Sequence, residues 1–180
     1  MCKKKQLRKM IKERIAALSE KELASRSKKI ASAVAENDAF RSARSIFLYH
    51  SMKGEADTRA LIDLALAQGK EVYLPRIAGE VMSLIPFRSG DPLQPNEYGI
   101  EEPTGDAVTA TPDLVIIPLV AFDRDKRRLG RGKGYYDRFL STFTGTSIAL
   151  AFSEQEADKI PVEAFDRSVD IVITDQETIV

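Results

Sequence analysis

The residues best suited to chemistry lie in one stretch of the chain, residues 113–140. Its centre, RLGRGKGYYD at 128–137, alternates glycines with arginine and lysine. Glycine lets the main chain adopt positive φ and approach a ligand closely, and the cations would neutralise an anion held there. Apolar residues recur at helical spacing from Tyr135 onward, so a helix N-terminus would face the same anion. This pattern predicts a phosphate site.

Two plainer interpretations compete with a phosphate site. A glycine-rich stretch alone is more often an ordinary turn, and a run of cations alone is more often a solvated surface. The stretch is not a P-loop, because no Ser or Thr follows Lys133, and it is not the dinucleotide fingerprint, because Tyr135 stands where the third glycine belongs. The coincidence of both features in one loop favours an anion site.

Segments typical of buried strands alternate with segments typical of helices, which predicts an α/β fold. The aliphatic run at 114–117 ends at Pro118 and is typical of a strand in a parallel sheet. We expect a Rossmann-like three-layer sandwich, in one domain over 1–180, around a mostly parallel central sheet of about five or six strands. The predicted strands are 45–49, 71–74, 81–87, 114–117, 147–152 and 170–174.

Two helices are expected before the first strand. Apolar residues from Leu7 to Leu18 fall on one face and predict the first helix. Ser19 and Glu22 form a capping-box pattern that predicts the start of the second. We expect both helices to cover the sheet. Lys4 and Arg8 lie one helical turn apart and share a face, which by itself is typical of solvated charges.

Loops that leave the carboxyl ends of strands are further candidates, because open α/β sheets bind ligands there. The first strand is followed by His50 and by MKGEADT at 52–58, where Glu55 is a candidate ligand and Asp57 or Thr58 would cap the next helix. Residues 88–112, rich in Pro, Gly, Asn and Asp, predict a long irregular loop, and 153–156 predict a helix start. On its own, His50 would more often be a packed or surface residue.

Composition and charge exclude several classes of protein. Lys plus Arg and Asp plus Glu are equal, at 27 each, so the overall field does not favour a nucleic-acid partner. The single cysteine, Cys2, allows no disulfide within one chain and suits a reducing compartment. No apolar run reaches membrane-spanning length, and the N-terminus has no apolar signal region. We therefore expect a cytoplasmic monomer without a membrane or nucleic-acid partner.

The motifs also resemble a known family. AFD at 121–123 followed by RLGRGKGYYDR at 128–138 resembles the signature of the 5-formyltetrahydrofolate cyclo-ligase family, also called methenyltetrahydrofolate synthetases. KKQLR at 4–8, EADT at 55–58, LPR at 74–76, residues 99–103 and PVEAFDRSVD at 161–170 extend the resemblance to nearly the whole chain. It implies the same α/β fold and an ATP-dependent ligase that converts 5-formyltetrahydrofolate to 5,10-methenyltetrahydrofolate, ADP and phosphate.

The resemblance also implies a role for each matching residue. Arg131 and Lys133 would be the catalytic cations, and Asp137 with Asp166 would hold one Mg²⁺. The residues expected to bind the folate are His50, Glu55, Tyr98, Arg131, Gly132, Lys133, Gly134 and Tyr135. The residues expected to bind ATP are Lys4, Lys5, Gln6, Leu7, Arg8, Arg128, Leu129, Gly130, Arg131, Gly132, Lys133, Gly134, Tyr135 and Tyr136.

Two positions depart from the family pattern, and two other functions are open. Leu119 and Lys126 stand where the family usually has glycine, which bears on the main-chain approach to the ligand. Neither is a charged contact or metal ligand of the family, so we expect activity to survive and any effect to fall on substrate affinity. A non-catalytic nucleotide- or folate-binding module would keep the same loop without turnover. A sugar-phosphate isomerase or kinase would need a catalytic base near the loop, which the sequence does not supply.

Overall fold

The computed structural model describes residues 2–180 and has a central sheet with helices on both faces. In chain order the helices are α1 Lys3–Ala16, α2 Glu20–Glu36, α3 Asp38–Ser42, α4 Arg59–Ala67 and α5 Tyr135–Thr142. The strands are β1 Ser45–Leu48, β2 Glu71–Ala78, β3 Val81–Phe87, β4 Leu93–Pro95, β5 Glu101–Pro103, β6 Leu114–Ile117, β7 Ala121–Phe122, β8 Arg128–Leu129, β9 Thr146–Leu150, β10 Ile171–Ile173 and β11 Thr178–Ile179. No helix in this part of the chain has both the length and the apolar character needed to cross a membrane.

Seven strands form the main sheet, in the order β11-β10-β9-β6-β1-β2-β3. The inner strands run parallel, and the edge strands β3 and β11 run antiparallel to their neighbours. This confirms the mostly parallel sheet. The sheet has one strand more than the sequence predicted, namely β11. This strand has only two residues, Thr178–Ile179, which are too few to show an alternation of apolar and polar residues.

The side chains of β1 alternate between two apolar cores, one on each face of the sheet. Ile46 and Leu48 belong to the core that α2, α3 and α4 cover. Phe47 belongs to the other core, where its ring lies 5.0 Å from that of Phe139 in α5. Full burial of each such side chain contributes about 1.5–3 kcal/mol. Helices on both faces confirm the three-layer sandwich.

Helix α1 covers less of the sheet than expected, because Ile15 packs against the core of the main sheet but the helix rests mainly on the β7–β8 hairpin. Its one buried residue, Ile11, packs with Ala121, Leu129 and Ile160. The short β7–β8 hairpin offers enough apolar surface to bury this one side chain. As a result the helix carries Lys4 and Arg8 to the end of the fold where the glycines at 130–134 lie.

Hydrogen bonds at the helix starts follow the sequence closely. Ser19 Oγ accepts the Glu22 N–H at 3.1 Å and Glu22 Oε2 accepts the Ser19 N–H at 2.7 Å, which confirms the capping box. At α4 the capping side chain is Asp57, which accepts the main-chain N–H of Arg59 at 2.9 Å. The pKa of Asp57 is lowered to about 2, mainly by hydrogen bonds from the Arg59 side chain and to a smaller extent by the hydrogen bond from the Arg59 main-chain N–H. Thr58 is buried instead and donates to the Tyr49 carbonyl at 2.7 Å.

Two segments expected to be irregular loops each contain a pair of short antiparallel strands. Residues 88–112 contain the β4–β5 pair, and the chain after Pro118 folds back as the β7–β8 hairpin. Strands of two or three residues leave no detectable periodicity. Conversely, the helix expected at 153–156 is a single 3₁₀ turn, Ser153–Gln155, because Glu156 is already extended and bridges to Phe122.

The strand order creates a topological switch point between β1 and β6. From β1 the chain continues to β2 on one side, whereas β6 lies on the other side. Loops that leave the carboxyl ends of two such strands diverge and leave a crevice, where ligands of open α/β sheets bind. Here these loops are residues 49–58 and 118–134, which contain Glu55 and the glycine-rich motif.

The turn of the β7–β8 hairpin yields a stability prediction. Lys126 has a φ of +59°, a conformation that costs a residue with a side chain about 1 kcal/mol. We expect Lys126→Gly to raise the free energy of unfolding by about 0.5–1 kcal/mol, measured by urea denaturation. Lys126→Ala is the control, because alanine keeps the strain. A destabilised Lys126→Gly protein would contradict the prediction.

Candidate functional site

The ends of the glycine loop, which we define as residues 130–134, are tied together by a buried ion pair. Arg128 Nη2 lies 2.9 Å from Asp137 Oδ1, with the two side chains 3% and 17% exposed. Arg128 is a buried residue of β8, and Asp137 lies in the first turn of α5. Burial lowers the pKa of Arg128, and the Asp137 carboxylate opposes that shift. Arg128 therefore faces Asp137 rather than the solvent.

The carbonyl groups of the glycine loop are held by two arginines. Arg8 Nε donates to the Gly130 carbonyl at 2.8 Å, and Arg138 Nη1 donates to the Lys133 carbonyl at 3.0 Å. Among residues 2–180, the main-chain N–H groups of residues 131–134 have no hydrogen-bond acceptor. Unpaired N–H groups before a helix N-terminus are what an anion needs.

Two glycines of the loop are required by its shape. Gly132 has a φ of +106°, and a Cβ added there would lie 3.4 Å from Arg8 Nη2. Gly134 has a φ of +72°, and an added Cβ would lie 2.9 Å from Arg138 Nη1. Side chains at either position would strain the main chain, and one at Gly134 would also displace the Arg138 guanidinium.

The two loops at the switch point are joined by an ion pair. Arg131 Nη2 donates to Glu55 Oε1 at 2.9 Å, while Glu55 Oε2 accepts the Met52 N–H at 2.8 Å. The Glu55 side chain is 9% exposed, whereas that of Arg131 is 56% exposed. The carboxylate is therefore fixed, and the arginine is the member that can turn to another partner.

His50 and Tyr98 lie farther along the same end of the sheet. His50 follows β1 and is half-buried, and burial lowers its pKa, with the Glu101 carboxylate opposing the shift. Tyr98 is 60% exposed on the turn between β4 and β5. This β4–β5 pair is attached to β2, because Glu102 Oε1 accepts the Ile77 N–H at 3.0 Å. Neither residue contacts the glycine loop through a hydrogen bond within residues 2–180.

Lys4 is a second cation, after Arg8, that α1 brings to the site. Its ammonium lies 2.6 Å from both Glu163 Oε2 and Asp166 Oδ2, and its side chain is 14% exposed. Burial alone would lower the pKa of Lys4, but the hydrogen bonds to Asp166 and Glu163 outweigh it and raise the pKa. An ammonium has three N–H groups, so one remains for another acceptor.

The two aspartates expected to bind a metal lie close together. Asp137 Oδ1 accepts the main-chain N–H of Arg167, the residue after Asp166, at 3.0 Å. Protein contacts occupy only Oδ1 of Asp137 and only Oδ2 of Asp166, so within residues 2–180 each keeps one oxygen without a partner. No group of three or more candidate ligand side chains occurs in the described chain. Two open carboxylate oxygens fit Mg²⁺, which needs few protein ligands when phosphates supply others.

The remaining expected residues divide into packed and exposed ones. Tyr136 and Leu129 pack in apolar clusters, and burial raises the pKa of Tyr136. Tyr135 donates its hydroxyl to the Gly79 carbonyl at 2.6 Å. Leu7 packs against the hairpin cluster, while Lys5 and Gln6 are exposed. Lys133 is exposed and has no ion-pair partner within residues 2–180.

Three residues at the site were missed in the sequence. Asp123 is buried, and its carboxylate accepts the N–H groups of Asp125, Arg127 and Ile160. Glu163 holds Lys4, and Arg138 holds the loop. Asp123 had a signal, since AFD was part of the motif, but Glu163 and Arg138 looked like ordinary surface charges. Their partners are distant in sequence or are main-chain atoms.

The fold and site together define an α/β protein with a glycine loop at the topological switch point, whose N–H groups at 131–134 have no acceptor within residues 2–180. The chain belongs to the 5-formyltetrahydrofolate cyclo-ligase family, whose model matches residues 1–175. It is 32% identical over 198 residues to the probable 5-formyltetrahydrofolate cyclo-ligase of Schizosaccharomyces pombe, covering 98% of this chain and 97% of the relative. It is 35% identical over 136 residues to the 5-formyltetrahydrofolate cyclo-ligase of Haemophilus influenzae, covering 70% and 73%.

Solved structures agree with this membership. The NMR structure of Aquifex aeolicus 5,10-methenyltetrahydrofolate synthetase superposes with a TM-score of 0.86 at 35% identity, covering 97% of this chain and 91% of that one. A 5,10-methenyltetrahydrofolate synthetase from Mycoplasma pneumoniae gives a TM-score of 0.76 at 26% identity, covering 97% and 99%. The fold class and the family resemblance seen in the sequence are therefore confirmed.

Proposed function

We propose that this chain catalyses the ATP-dependent cyclisation of 5-formyltetrahydrofolate to 5,10-methenyltetrahydrofolate, with release of ADP and phosphate. The observation that carries the proposal is the glycine loop with unpaired N–H groups and cations, facing the fixed Glu55 carboxylate at the switch point. Membership of an enzyme family supports the same reaction. The glycine-loop end of the crevice suits phosphates, and the Glu55 end suits a ring with N–H donors.

The chemistry needs an activated oxygen rather than a covalent enzyme intermediate. A formamide oxygen is a poor leaving group, so the formyl oxygen attacks the γ-phosphorus of ATP and ADP departs. N10 of the folate then attacks the formyl carbon, N10 loses its proton, and the oxygen leaves as part of phosphate. Positioning and charge neutralisation dominate such a transfer, so the site needs no Ser, Cys or His nucleophile.

The cations of the site divide between the phosphates. Arg131 and Lys133 are assigned to the transferring phosphoryl group, because they extend from the exposed loop segment whose N–H groups are unpaired within residues 2–180. Arg8 keeps both Nη groups without a protein partner within residues 2–180, and Lys4 keeps one N–H. We assign these two residues to the other phosphates. Arg128 acts through Asp137, which it holds in place.

The folate is assigned to the Glu55 side of the crevice. The two carboxylate oxygens of Glu55 suit adjacent N–H donors on the pterin edge. Arg131 now occupies Oε1 of Glu55, so we propose that Arg131 turns to the phosphates when both substrates bind. His50, Tyr98 and Tyr135 are assigned to the rest of the folate, with Tyr98 free to stack because it is exposed.

Asp137 and Asp166 are assigned to Mg²⁺ through their open oxygens. When bound, Mg²⁺ neutralises charge on the phosphates. We expect Asp166→Asn to raise the Mg²⁺ concentration needed for ADP binding by about tenfold or more, measured by calorimetry. Asp63→Asn, an exposed change on α4, is the control. An unchanged Mg²⁺ requirement in Asp166→Asn would contradict the metal assignment.

The reaction itself is tested by mixing the protein with 5-formyltetrahydrofolate and Mg-ATP and following the methenyl chromophore and ADP together. Lys133→Ala should lower kcat/KM by about 10²–10³-fold, because it removes one cation from a preorganised anion site. Its melting temperature should change little, since Lys133 is exposed and unpaired within residues 2–180.

Two outcomes would contradict the proposal. Binding of both ligands without ADP release would identify a non-catalytic binding module. Full activity in Lys133→Ala would show that the loop cations form only a solvated surface.

A further inference from the structure

Arg138 lies on the surface of α5, and both terminal nitrogens of its guanidinium group donate to main-chain carbonyls. Nη1 donates to the Lys133 carbonyl and Nη2 donates to the Glu80 carbonyl, both at 3.0 Å. Its guanidinium carbon also lies 5.2 Å from the centre of the Tyr135 ring. The side chain thus joins the glycine loop to the β2–β3 turn, which Tyr135 also contacts through Gly79.

The hydrogen bond from Arg138 to the Lys133 carbonyl also determines the direction of the next main-chain N–H group, that of Gly134. The C=O and N–H of a trans peptide point in opposite directions, and no cis peptide occurs in residues 2–180. When Arg138 holds the Lys133 carbonyl, the N–H of Gly134 must point away from Arg138. On the other side of the loop, Arg8 holds the Gly130 carbonyl and directs the N–H of Arg131 away in the same manner.

The packing at Gly134 shows how closely the guanidinium and the loop fit. A Cβ at Gly134 would lie only 2.9 Å from Arg138 Nη1, and the glycine has a φ of +72°. Any other residue would push Arg138 from the carbonyl and strain the turn. The glycine and the arginine therefore form one unit that sets the direction of the peptide between Lys133 and Gly134.

We propose that Arg138 is a positioning residue of the phosphate site, which aims the Gly134 N–H and fixes the main chain that carries Lys133. The inference rests on the proposed function. In this arrangement Arg138 acts through the main chain that its two Nη groups hold, and not as a direct ligand of the phosphate. Its effect passes through the orientation of donors that must be in place before phosphoryl transfer begins.

The test compares Arg138→Ala and Arg138→Lys with Arg14→Ala. Arg14 is a matched control, because it too is an exposed arginine that donates to a main-chain carbonyl, that of Glu156 at 3.0 Å, away from the loop. We expect Arg138→Ala to lower kcat/KM about 10- to 100-fold, while Arg14→Ala keeps wild-type activity. Arg138→Lys should remain impaired, because one ammonium lacks the planar fork that spans both carbonyls.

Chemical rescue separates positioning from a merely structural role. Methylguanidinium at millimolar concentration should restore part of the activity of Arg138→Ala and none of that of Lys133→Ala. Activity in Arg138→Ala equal to that in Arg14→Ala would overturn the proposal. So would a lost activity that accompanies a lowered melting temperature and does not respond to methylguanidinium.

The same variants distinguish failure of this inference from failure of the proposed function. If the wild-type protein turns over no folate, the cyclisation proposal fails. Calorimetry with Mg-ADP then tests Arg138 directly, and weaker binding to Arg138→Ala than to Arg14→Ala supports its positioning role. Equal binding of Mg-ADP by the two variants would overturn it.

Discussion

The buried ion pair between Arg128 and Asp137 is the constraint on which the site depends. Its members stand before and after the glycine loop, so the pair fixes both ends of that loop and also fixes Asp137. Arg128 Nε has no hydrogen-bond partner within residues 2–180, and Asp137 is the carboxylate that the guanidinium contacts there. Removing Asp137 would leave the buried Arg128 charge uncompensated, which destabilises the folded protein. The ion pair therefore stabilises the positions of both loop ends.

The strand order then decides what faces the loop. Because β1 and β6 are neighbours, the segments after them meet, and the Arg131–Glu55 ion pair joins them. Before substrates bind, several charges of the proposed site neutralise one another: Arg131 with Glu55, and Lys4 with Glu163 and Asp166. In the proposed complex the phosphates replace Glu55 as the partner of Arg131, so that the arginine exchanges one anionic partner for another.

Local signals were readable in the sequence, whereas distant pairings were not. The capping box at Ser19 and the strand Leu114–Ile117 depend on neighbouring residues, so the pattern predicted them. The family pattern expected glycine at position 126, and Lys126 indeed has positive φ. The contacts of Lys4 lie 159 and 162 residues away, and no local pattern reports them. The sequence did not predict the β7–β8 hairpin, because its two-residue strands are too short to show an alternation of apolar and polar residues.

The formyl oxygen offers the most direct measurement of the central claim, that the glycine loop supports phosphoryl transfer onto that oxygen. The substrate would carry a heavy-oxygen label in its formyl group, and the phosphate released with ADP would be examined by mass spectrometry. The account predicts that the label appears in the phosphate, because the oxygen departs with the transferred phosphoryl group. Label found only in water, with unlabelled phosphate, would contradict it.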